Sequence, residues 1–179
     1  MKKVLIITTS LRQNGNSDIL AQAFSDGAKS NGNVVETISL KGKNLNFCKG
    51  CLSCRKLRRC VIDDDANAIA DKMLDSDVIV WATPVYYYSM SGQMKTLIDR
   101  VNPLYYRDYK FRKVYLLATA TEDETYTFEG TEKGVQGWVD CFDGVEFSGA
   151  LFVGGVTDPA DIKNNEKLKD AFNLGKSIE

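Results

Sequence analysis

Lys3-Val-Leu-Ile-Ile-Thr-Thr-Ser-Leu-Arg-Gln-Asn-Gly-Asn-Ser17 is the stretch of sequence that decides the fold. Its first half is a short, β-rich apolar run, and its second half is a polar loop with one glycine. Apolar side chains then recur at helical spacing over residues 17–29, at Ile19, Leu20, Ala23, Phe24 and Ala28. The stretch therefore predicts a buried strand (3–9), a loop and a helix (17–29).

The alternation of strand and helix continues to the end of the chain. Further strands are predicted at 33–40, 77–82, 113–120 and 147–153, and further helices at 64–74, 91–101, 133–142 and 160–178. This alternation is typical of an open parallel sheet with helices on both faces, joined by right-handed crossovers. We expect one domain over residues 1–179, a three-layer, doubly wound α/β fold with a five-stranded parallel sheet in the order 2-1-3-4-5.

Composition excludes several classes of function. The 179 residues are 44% hydrophobic and 26% charged, as in ordinary globular domains, and they include no histidine. Ser-His-Asp catalysis, Cys-His catalysis and imidazole metal sites are therefore excluded. No apolar run is long enough for a signal-peptide core or a membrane span, so we expect a cytoplasmic protein without membrane or nucleic-acid partners.

The loop over residues 9–17 is a candidate phosphate site. In a doubly wound sheet, ligands bind at the carboxyl ends of the strands where the strand order reverses, here beyond strands one and three. The loop leads into a helix N-terminus, where free N–H groups and the helix dipole favour an anion. The side chains of Ser10, Arg12, Asn16 and Ser17 can add donors. The alternative is a polar turn in which Ser17 is only the helix N-cap.

The loop over residues 83–92 is a candidate site for a planar heterocycle. Its sequence, Thr83-Pro-Val-Tyr-Tyr-Tyr-Ser-Met-Ser-Gly92, places three aromatic rings after the third predicted strand. Rings can stack on a heterocycle while backbone N–H groups meet its oxygens and nitrogens. By itself, a run of tyrosines is more often part of an interface or a core. The candidate residues are Pro84, Val85, Tyr86, Tyr87, Tyr88, Ser91 and Gly92.

Both loops resemble those of a known family. Thr83-Pro-Val-Tyr86, Met90-Ser-Gly-Gln-Met-Lys95 and Ile98-Asp-Arg100 are similar to the isoalloxazine loop of the NADPH-dependent FMN reductases and their relatives, the iron-sulfur flavoproteins. Residues 10–17 resemble the FMN phosphate loop of that family, with Leu11 where proline is common. The resemblance covers about residues 1–120 and implies a flavodoxin-like fold. The third flavin loop of the family would fall at 119–122, where the expected glycines are missing.

A cysteine-rich insertion occupies about residues 43–62. Cys48, Cys51, Cys54 and Cys60 have a spacing that resembles the compact cluster motif of iron-sulfur flavoproteins, and four thiolates on a short loop can hold a [4Fe-4S] cluster. A tetrathiolate zinc site, free thiols and a disulfide are alternatives. Seven Lys and Arg residues and no acidic residue lie within 41–60, a bias that could offset the charge of a cluster, attract NADPH phosphates or attract an acidic redox partner. Cys141 is expected to be a buried core residue.

The resemblance implies an FMN-dependent oxidoreductase that takes electrons from NAD(P)H or a ferredoxin-like donor and passes them to a small-molecule or protein acceptor. Flavin chemistry resides in the cofactor, so no side chain is required as a catalytic acid or base. The alternative is a non-enzymatic, flavodoxin-like electron carrier with or without a cluster, although such carriers are typically strongly acidic and this chain has a net charge of -1. The resemblance also implies a homodimer or homotetramer, with Tyr105, Tyr106 and Tyr109 as candidate interface residues.

Overall fold

The computed structural model describes all 179 residues, with six strands and six α-helices. The strands are β1 (Lys3–Thr8), β2 (Val34–Ser39), β3 (Val78–Tyr86), β4 (Ser89–Met90), β5 (Lys113–Thr119) and β6 (Glu146–Val153). The helices are α1 (Asn16–Ser30), α2 (Cys54–Leu57), α3 (Asp65–Asp75), α4 (Gly92–Arg100), α5 (Tyr126–Val139) and α6 (Lys167–Lys176). Two 3₁₀ turns cover Asn102–Tyr106 and Asp161–Asn164.

Five of the strands form a parallel sheet in the order β2-β1-β3-β5-β6. Counted along the chain as five strands, this is the order 2-1-3-4-5, and the doubly wound α/β class is confirmed. The prediction of only five strands needs correction, because the two-residue strand β4 pairs antiparallel with the end of β3. So short a strand carries no alternation of apolar and polar residues from which it could be predicted.

Helices cover both faces of the sheet, which explains why its central strands are apolar on both sides. Val4 and Ile6 of β1 pack in the core layer that contains residues of α1 and α6. Leu5 and Ile7 of the same strand point the other way, into the larger layer with residues of α3, α4 and α5. The alternation along β1 therefore anchors both layers, and it holds the loop after β1 at the edge of a rigid sheet.

Helix α1, which begins at the candidate phosphate loop (residues 9–17), is held by a close contact with α6. A Cβ atom on Gly175 of α6 would lie 2.0 Å from the carbonyl oxygen of Phe24, and one on Gly27 of α1 would lie 1.9 Å from that of Phe172. Only glycine at both places lets the two backbones approach this closely. The packing fixes the axis of α1, and with it the direction of its N-terminus.

Three sequence predictions for the C-terminal half need correction. Helix α5 begins at Tyr126, seven residues before the predicted start at 133, because Gly130, Gly134 and Gly137 weaken the helical signal that the sequence carries there. The helix predicted over 160–178 is divided into a 3₁₀ turn and α6. Cys141 is exposed, because α5 ends at Val139 and leaves it beyond the helix. None of the helices combines the length and apolar character needed to cross a membrane.

Candidate functional site

The loops after β1, β3, β5 and β6 surround one crevice at the carboxyl edge of the sheet. The residues that line it are Ser10, Arg12, Gly15, Asn16, Ser17, Pro84, Val85, Tyr86, Thr119, Ala120, Thr121, Val156, Thr157 and Pro159. A wider cavity of about 450 Å³ adjoins it and shares Val85, Tyr86, Ala120 and Thr121 with it. The structure thus brings together the two loops singled out in the sequence. It adds a segment after β6, residues 156–159, that the sequence analysis missed.

One end of the crevice has several free hydrogen-bond donors. Gly15 is the N-cap of α1, and its carbonyl accepts from the N–H groups of Asp18 and Ile19 at 3.0 and 3.1 Å. The N–H groups of Asn16 and Ser17 donate to no carbonyl, and the buried hydroxyl of Ser17 has no hydrogen-bond partner. Ser17 is therefore not the N-cap, and this part of the alternative, a turn capped by Ser17, is wrong. The arrangement leaves partnerless donors at the positive end of a helix, as an anion requires.

The phosphate loop is packed too tightly to accept a side chain at Gly15. A Cβ atom there would lie 2.5 Å from Ser10 Oγ. Ser10 is itself buried, and its hydroxyl accepts from the backbone N–H of Arg12 at 3.2 Å. A side chain at position 15 would displace the Ser10 hydroxyl from this hydrogen bond, because the loop folds back against Ser10.

The segment after β6 closes the phosphate loop from the far side. Arg12 NH1 donates to the carbonyl of Thr157 at 2.6 Å, and Asn16 Nδ2 donates to that of Asp158 at 3.0 Å. Asn16 Oδ1 accepts from the N–H of Ile162 at 3.3 Å. The Asn16 amide thus holds the loop closed, while its backbone N–H stays free. The one available signal for this segment was its position after a parallel strand, since it carries no donor motif.

A chain of buried hydroxyls joins the phosphate loop to the loop after β3. Ser91 Oγ donates to Thr9 Oγ1 at 2.9 Å, and Thr83 Oγ1 accepts from the N–H of Ser91 at 3.1 Å. Ser91 is also the N-cap of α4, where its hydroxyl accepts from the N–H of Met94. All three hydroxyl residues are fully buried. Their hydrogen bonds fix the separation of the two loops, since breaking one leaves a buried polar group unpaired.

The tyrosines form a strained turn at the mouth of the crevice. Tyr87 and Tyr88 connect β3 to β4 with φ values of 48° and 62°, where a two-residue hairpin usually has Asn-Gly. A left-handed backbone costs a bulky residue about 1–2 kcal/mol. Helix α5 supports the turn, because a Cβ atom on Gly130 would lie 2.2 Å from the carbonyl oxygen of Tyr88. The turn places Tyr86, Tyr87 and Tyr88 along the wider cavity.

The third loop, residues 119–122, contains no glycine. The close approach of its end to the neighbouring segment of the chain is made possible by Gly154, directly after β6. A Cβ atom on Gly154 would lie 2.3 Å from Asp123 Cα and 2.4 Å from the carbonyl oxygen of Glu122. The N–H of Val156 also donates to the carbonyl of Ala120 at 3.0 Å. Thr119, Ala120 and Thr121 line the crevice, and Glu122 lines the wider cavity beside it.

The four cysteines of the insertion line one small cavity of about 40 Å³, together with residues from the end of α4 and the turn after it. All four thiols are free; Cys48 and Cys51 are exposed, and Cys54 and Cys60 are half-buried. No group of three or more Cys, Asp or Glu side chains is close enough together to hold a single metal ion. A zinc ion would need its sulfurs about 3.8 Å apart, given Zn–S bonds of about 2.3 Å in a tetrahedron.

The chain around these cysteines directs hydrogen-bond donors towards the cysteine sulfur atoms. Leu52 has a left-handed backbone and Ser53 a right-handed helical one, an alternation that directs successive N–H groups to one side. Cys54 Sγ accepts from Asn102 Nδ2 at 3.1 Å, and Cys48 Sγ from the N–H of Gly50 at 3.4 Å. Hydrogen bonds from Ser53 lower the pKa of the Cys51 thiol. These hydrogen bonds favour the thiolate form of Cys51.

A buried ion pair closes the base of the insertion. Arg100, at the end of α4, donates from NH1 and NH2 to the two carboxylate oxygens of Asp64 at 2.6 and 2.8 Å, and both side chains are fully buried. The same guanidinium donates to the carbonyls of Asn46 and Ile62, one on each side of the cysteines. Burial alone would raise the pKa of Asp64, but hydrogen bonds from Arg100, Asn46 and Ala66 lower it to about 2.

The sequence pattern of one family, described as NADPH-dependent FMN reductase, matches residues 2–128. The chain belongs to this family. The match includes the phosphate loop, the tyrosine turn, the cysteine insertion and the third loop. The segment after β6 lies beyond it.

Two iron-sulfur flavoproteins are similar to this chain over different lengths. An iron-sulfur flavoprotein of Methanocaldococcus jannaschii is 39% identical over 102 residues, which is 57% of this chain and 53% of that protein. An iron-sulfur flavoprotein of Methanosarcina thermophila is 29% identical over 161 residues, 89% of this chain and 84% of that protein. The chain thus matches only about half the length of the Methanocaldococcus relative.

Among solved structures, an NAD(P)H:quinone oxidoreductase from Methanothermobacter marburgensis shares the fold of this FMN reductase family member. Its TM-score is 0.77 at 18% identity, over 99% of this chain and 96% of that one. At such low identity the likeness concerns the fold alone.

Replacing the carboxylate of the buried ion pair is expected to destabilise the protein strongly. Asp64→Asn leaves the Arg100 guanidinium buried without a counter-charge, which typically costs about 3–5 kcal/mol. Because the pKa of Asp64 is lowered to about 2 in the folded state, its contribution is complete above about pH 4 and is lost as the pH falls towards about 2. Urea unfolding at pH 7 and across pH 2–5 measures both effects.

The matched control is Asp75→Asn at the other end of α3. Asp75 forms an ion pair with Lys110 at 2.7 Å, but both side chains are largely exposed, so we expect a loss of less than about 1 kcal/mol. Equal destabilisation by the two variants would contradict the role assigned to the buried pair.

Proposed function

We propose that this chain is an FMN-dependent oxidoreductase that binds FMN across the crevice and accepts electrons from NAD(P)H or a ferredoxin-like donor. The observation that carries the proposal is the pairing of two features. The partnerless hydroxyl of Ser17 and the free N–H groups at the start of α1 lie at one end of the crevice, and a cavity lined by tyrosines lies at the other. Membership of the FMN reductase family supports it.

The phosphate end fits a terminal phosphate rather than a neutral group. Ser17 Oγ, the N–H groups of Asn16 and Ser17 and the remaining N–H groups of Arg12 are the proposed donors. Ser10 shapes the loop through its contact with Gly15. Charge-assisted hydrogen bonds of this kind are the stronger class, and the helix dipole adds to them.

The end of the crevice that is lined by the tyrosines, here called the ring end, fits a planar heterocycle. We propose that Pro84, Val85 and the three tyrosines border the ring, with Ser91 and Gly92 holding the loop at the start of α4. When bound, FMN supplies the electron-transfer chemistry, so the chain has to bind it, orient it and set its electrostatic surroundings. The lining of the crevice agrees with this role, because it contains no histidine and, at the phosphate end, no carboxylate.

For the cysteine insertion we propose a [4Fe-4S] cluster held by Cys48, Cys51, Cys54 and Cys60. The four thiols line one cavity, and a [4Fe-4S] cluster takes one thiolate on each of its four irons. Donors to sulfur and the basic surroundings would stabilise the negative charge of a thiolate-bound cluster. Five cations of the segment form no ion pair, namely Lys41, Lys49, Arg55, Lys56 and Arg58. The name of the Methanocaldococcus relative agrees with this proposal.

Assembly into a homodimer or homotetramer is also proposed. Tyr105 is 56% exposed and is the best candidate for a contact between subunits. Tyr109 is committed to the chain's own core, because its ring lies 4.9 Å from that of Phe111 and 5.2 Å from that of Phe142.

Removing the guanidinium from the phosphate loop is expected to weaken FMN binding. Arg12→Ala deletes a charge-assisted contact, so we expect the dissociation constant of FMN to rise about 10-fold or more in fluorescence titration. Gln13→Ala is the control, since Gln13 is exposed in the same loop and forms no hydrogen bond. Unchanged affinity in Arg12→Ala would contradict the assignment of this loop to the phosphate.

Anaerobic mixing with reduced nicotinamides separates an enzyme from a carrier. We expect NADPH or NADH to bleach the flavin absorbance of the FMN-loaded protein at rates that support turnover, as measured by stopped-flow spectroscopy. Bleaching by a reduced ferredoxin but by neither nicotinamide would instead favour the electron carrier.

The cluster is tested by metal content. Protein purified without oxygen is expected to contain about four irons and four sulfides per chain. Cys54→Ser should lose both, while Cys141→Ser, an equally conservative change at an exposed thiol outside the insertion, should keep them. Zinc without sulfide, or no metal in the unaltered protein, would contradict the cluster.

A further inference from the structure

We propose that Glu122 makes the wider cavity select uncharged or cationic planar aromatic electron acceptors and disfavour anionic ones. This inference rests on the proposed FMN site and concerns which electron acceptors reach that site. The cavity adjoins the crevice and shares Val85, Tyr86, Ala120 and Thr121 with it, so an acceptor that approaches the ring from this side meets the cavity lining.

The lining of the cavity suits a flat aromatic molecule, and the lining itself carries a single negative charge. Its volume is about 450 Å³, which is within the range of small-molecule pockets. Tyr86, Tyr87 and Tyr88 supply aromatic surface, and Val85, Ala120, Thr121 and Thr127 supply small apolar or hydroxyl-bearing walls. Glu122 is the only lining residue that is charged at neutral pH.

Glu122 is held in position and is not a freely moving surface carboxylate. Its Oε2 accepts from Thr127 Oγ1 at 3.1 Å, and its Oε1 accepts from the Tyr88 hydroxyl at 3.3 Å. Its backbone lies directly against Gly154, where a Cβ atom would be 2.4 Å from the Glu122 carbonyl oxygen. Two side-chain contacts and one backbone contact therefore keep the charge at the wall of the cavity.

No cation near the cavity offsets this charge. Glu122 is followed by the exposed acidic residues Asp123 and Glu124, and the charges of Glu122 and Glu124 both raise the pKa of the Tyr88 hydroxyl. Arg12 lies at the opposite end of the crevice and is bonded to Thr157. Lys133 of α5 faces Glu129 at 3.9 Å. An anionic acceptor would meet repulsion here, and a cationic one attraction.

The expected preference is modest, because the cavity is open to solvent. Charges at solvent-exposed sites interact by about 1 kcal/mol or less, and salt screens them over about 10 Å at 0.1 M. We expect a cationic aromatic compound to bind about 5-fold more tightly than an anionic one of the same shape at low salt, which corresponds to about 1 kcal/mol. The difference should shrink at high salt.

Two anthraquinones that differ only in the charge of one substituent provide the test. The FMN-loaded protein, without any electron donor, is titrated with anthraquinone-2-sulfonate and with anthraquinone carrying a trimethylammonium-methyl group at the same position, and dissociation constants are read from the flavin fluorescence. The unaltered protein should prefer the cation about 5-fold. Glu122→Gln, which keeps the shape and both hydrogen-bonded positions, should abolish the preference, and Glu122→Lys should reverse it.

Glu129→Gln is the matched control, since Glu129 is exposed at the start of α5 but does not line the cavity. It should leave the preference unchanged. Equal binding of both probes by the unaltered protein, or an unchanged preference in Glu122→Gln, overturns the inference while FMN binding and reduction by nicotinamides still stand. A protein that takes up no FMN overturns the proposed function and this inference together.

Discussion

The buried ion pair between Arg100 and Asp64 sets the relative position of the two candidate centres. Asp64 is the N-cap of α3 and Arg100 the last residue of α4, so the pair ties the two helices together beneath the cysteine insertion. The other end of α4 begins at Ser91, which is hydrogen-bonded to Thr9 in the loop after β1. The nine residues of α4, about 13 Å long at 1.5 Å per residue, therefore connect the candidate flavin loops rigidly to the cysteines.

The regions at the two ends of α4 differ in charge in a way that suits two different tasks. The insertion carries five cations that form no ion pair, and thiolates at its centre would need such an offset. The ring end carries Glu122 and the acidic residues after it, and no cation lines the wider cavity. A molecule that approaches the chain thus meets a surface that attracts anions at the insertion and one that repels them at the cavity.

The sequence predicted the parts of the site that depend on short-range patterns. The loop after β1 was recognisable because an apolar run, a glycine and a helical repeat follow one another within a single stretch. Contacts between distant residues were not predictable in this way. Arg100 and Asp64 are 36 positions apart, and residues 156–159 reach the phosphate loop only because β6 lies beside β5. The early start of α5 was hidden by Gly130 and Gly134, and the reason for these glycines is visible only in the structure, where Gly130 lies against the carbonyl of Tyr88 and Gly134 against the side chain of Met90.

Backbone strain marks the same loops independently of any motif. Six residues other than glycine have positive φ, and they are Asn14, Leu52, Arg58, Tyr87, Tyr88 and Ala160. Asn14 belongs to the candidate phosphate loop, and Leu52 and Arg58 belong to the cysteine insertion. Tyr87 and Tyr88 form the turn between β3 and β4, and Ala160 directly follows residues 156–159. Only asparagine accepts this conformation readily, and the other five each cost about 1–2 kcal/mol. The packing of the sheet and helices stabilises the fold enough to offset this free-energy cost. The strained residues lie in the loops where the chain has to hold N–H groups, aromatic rings and thiols in fixed directions.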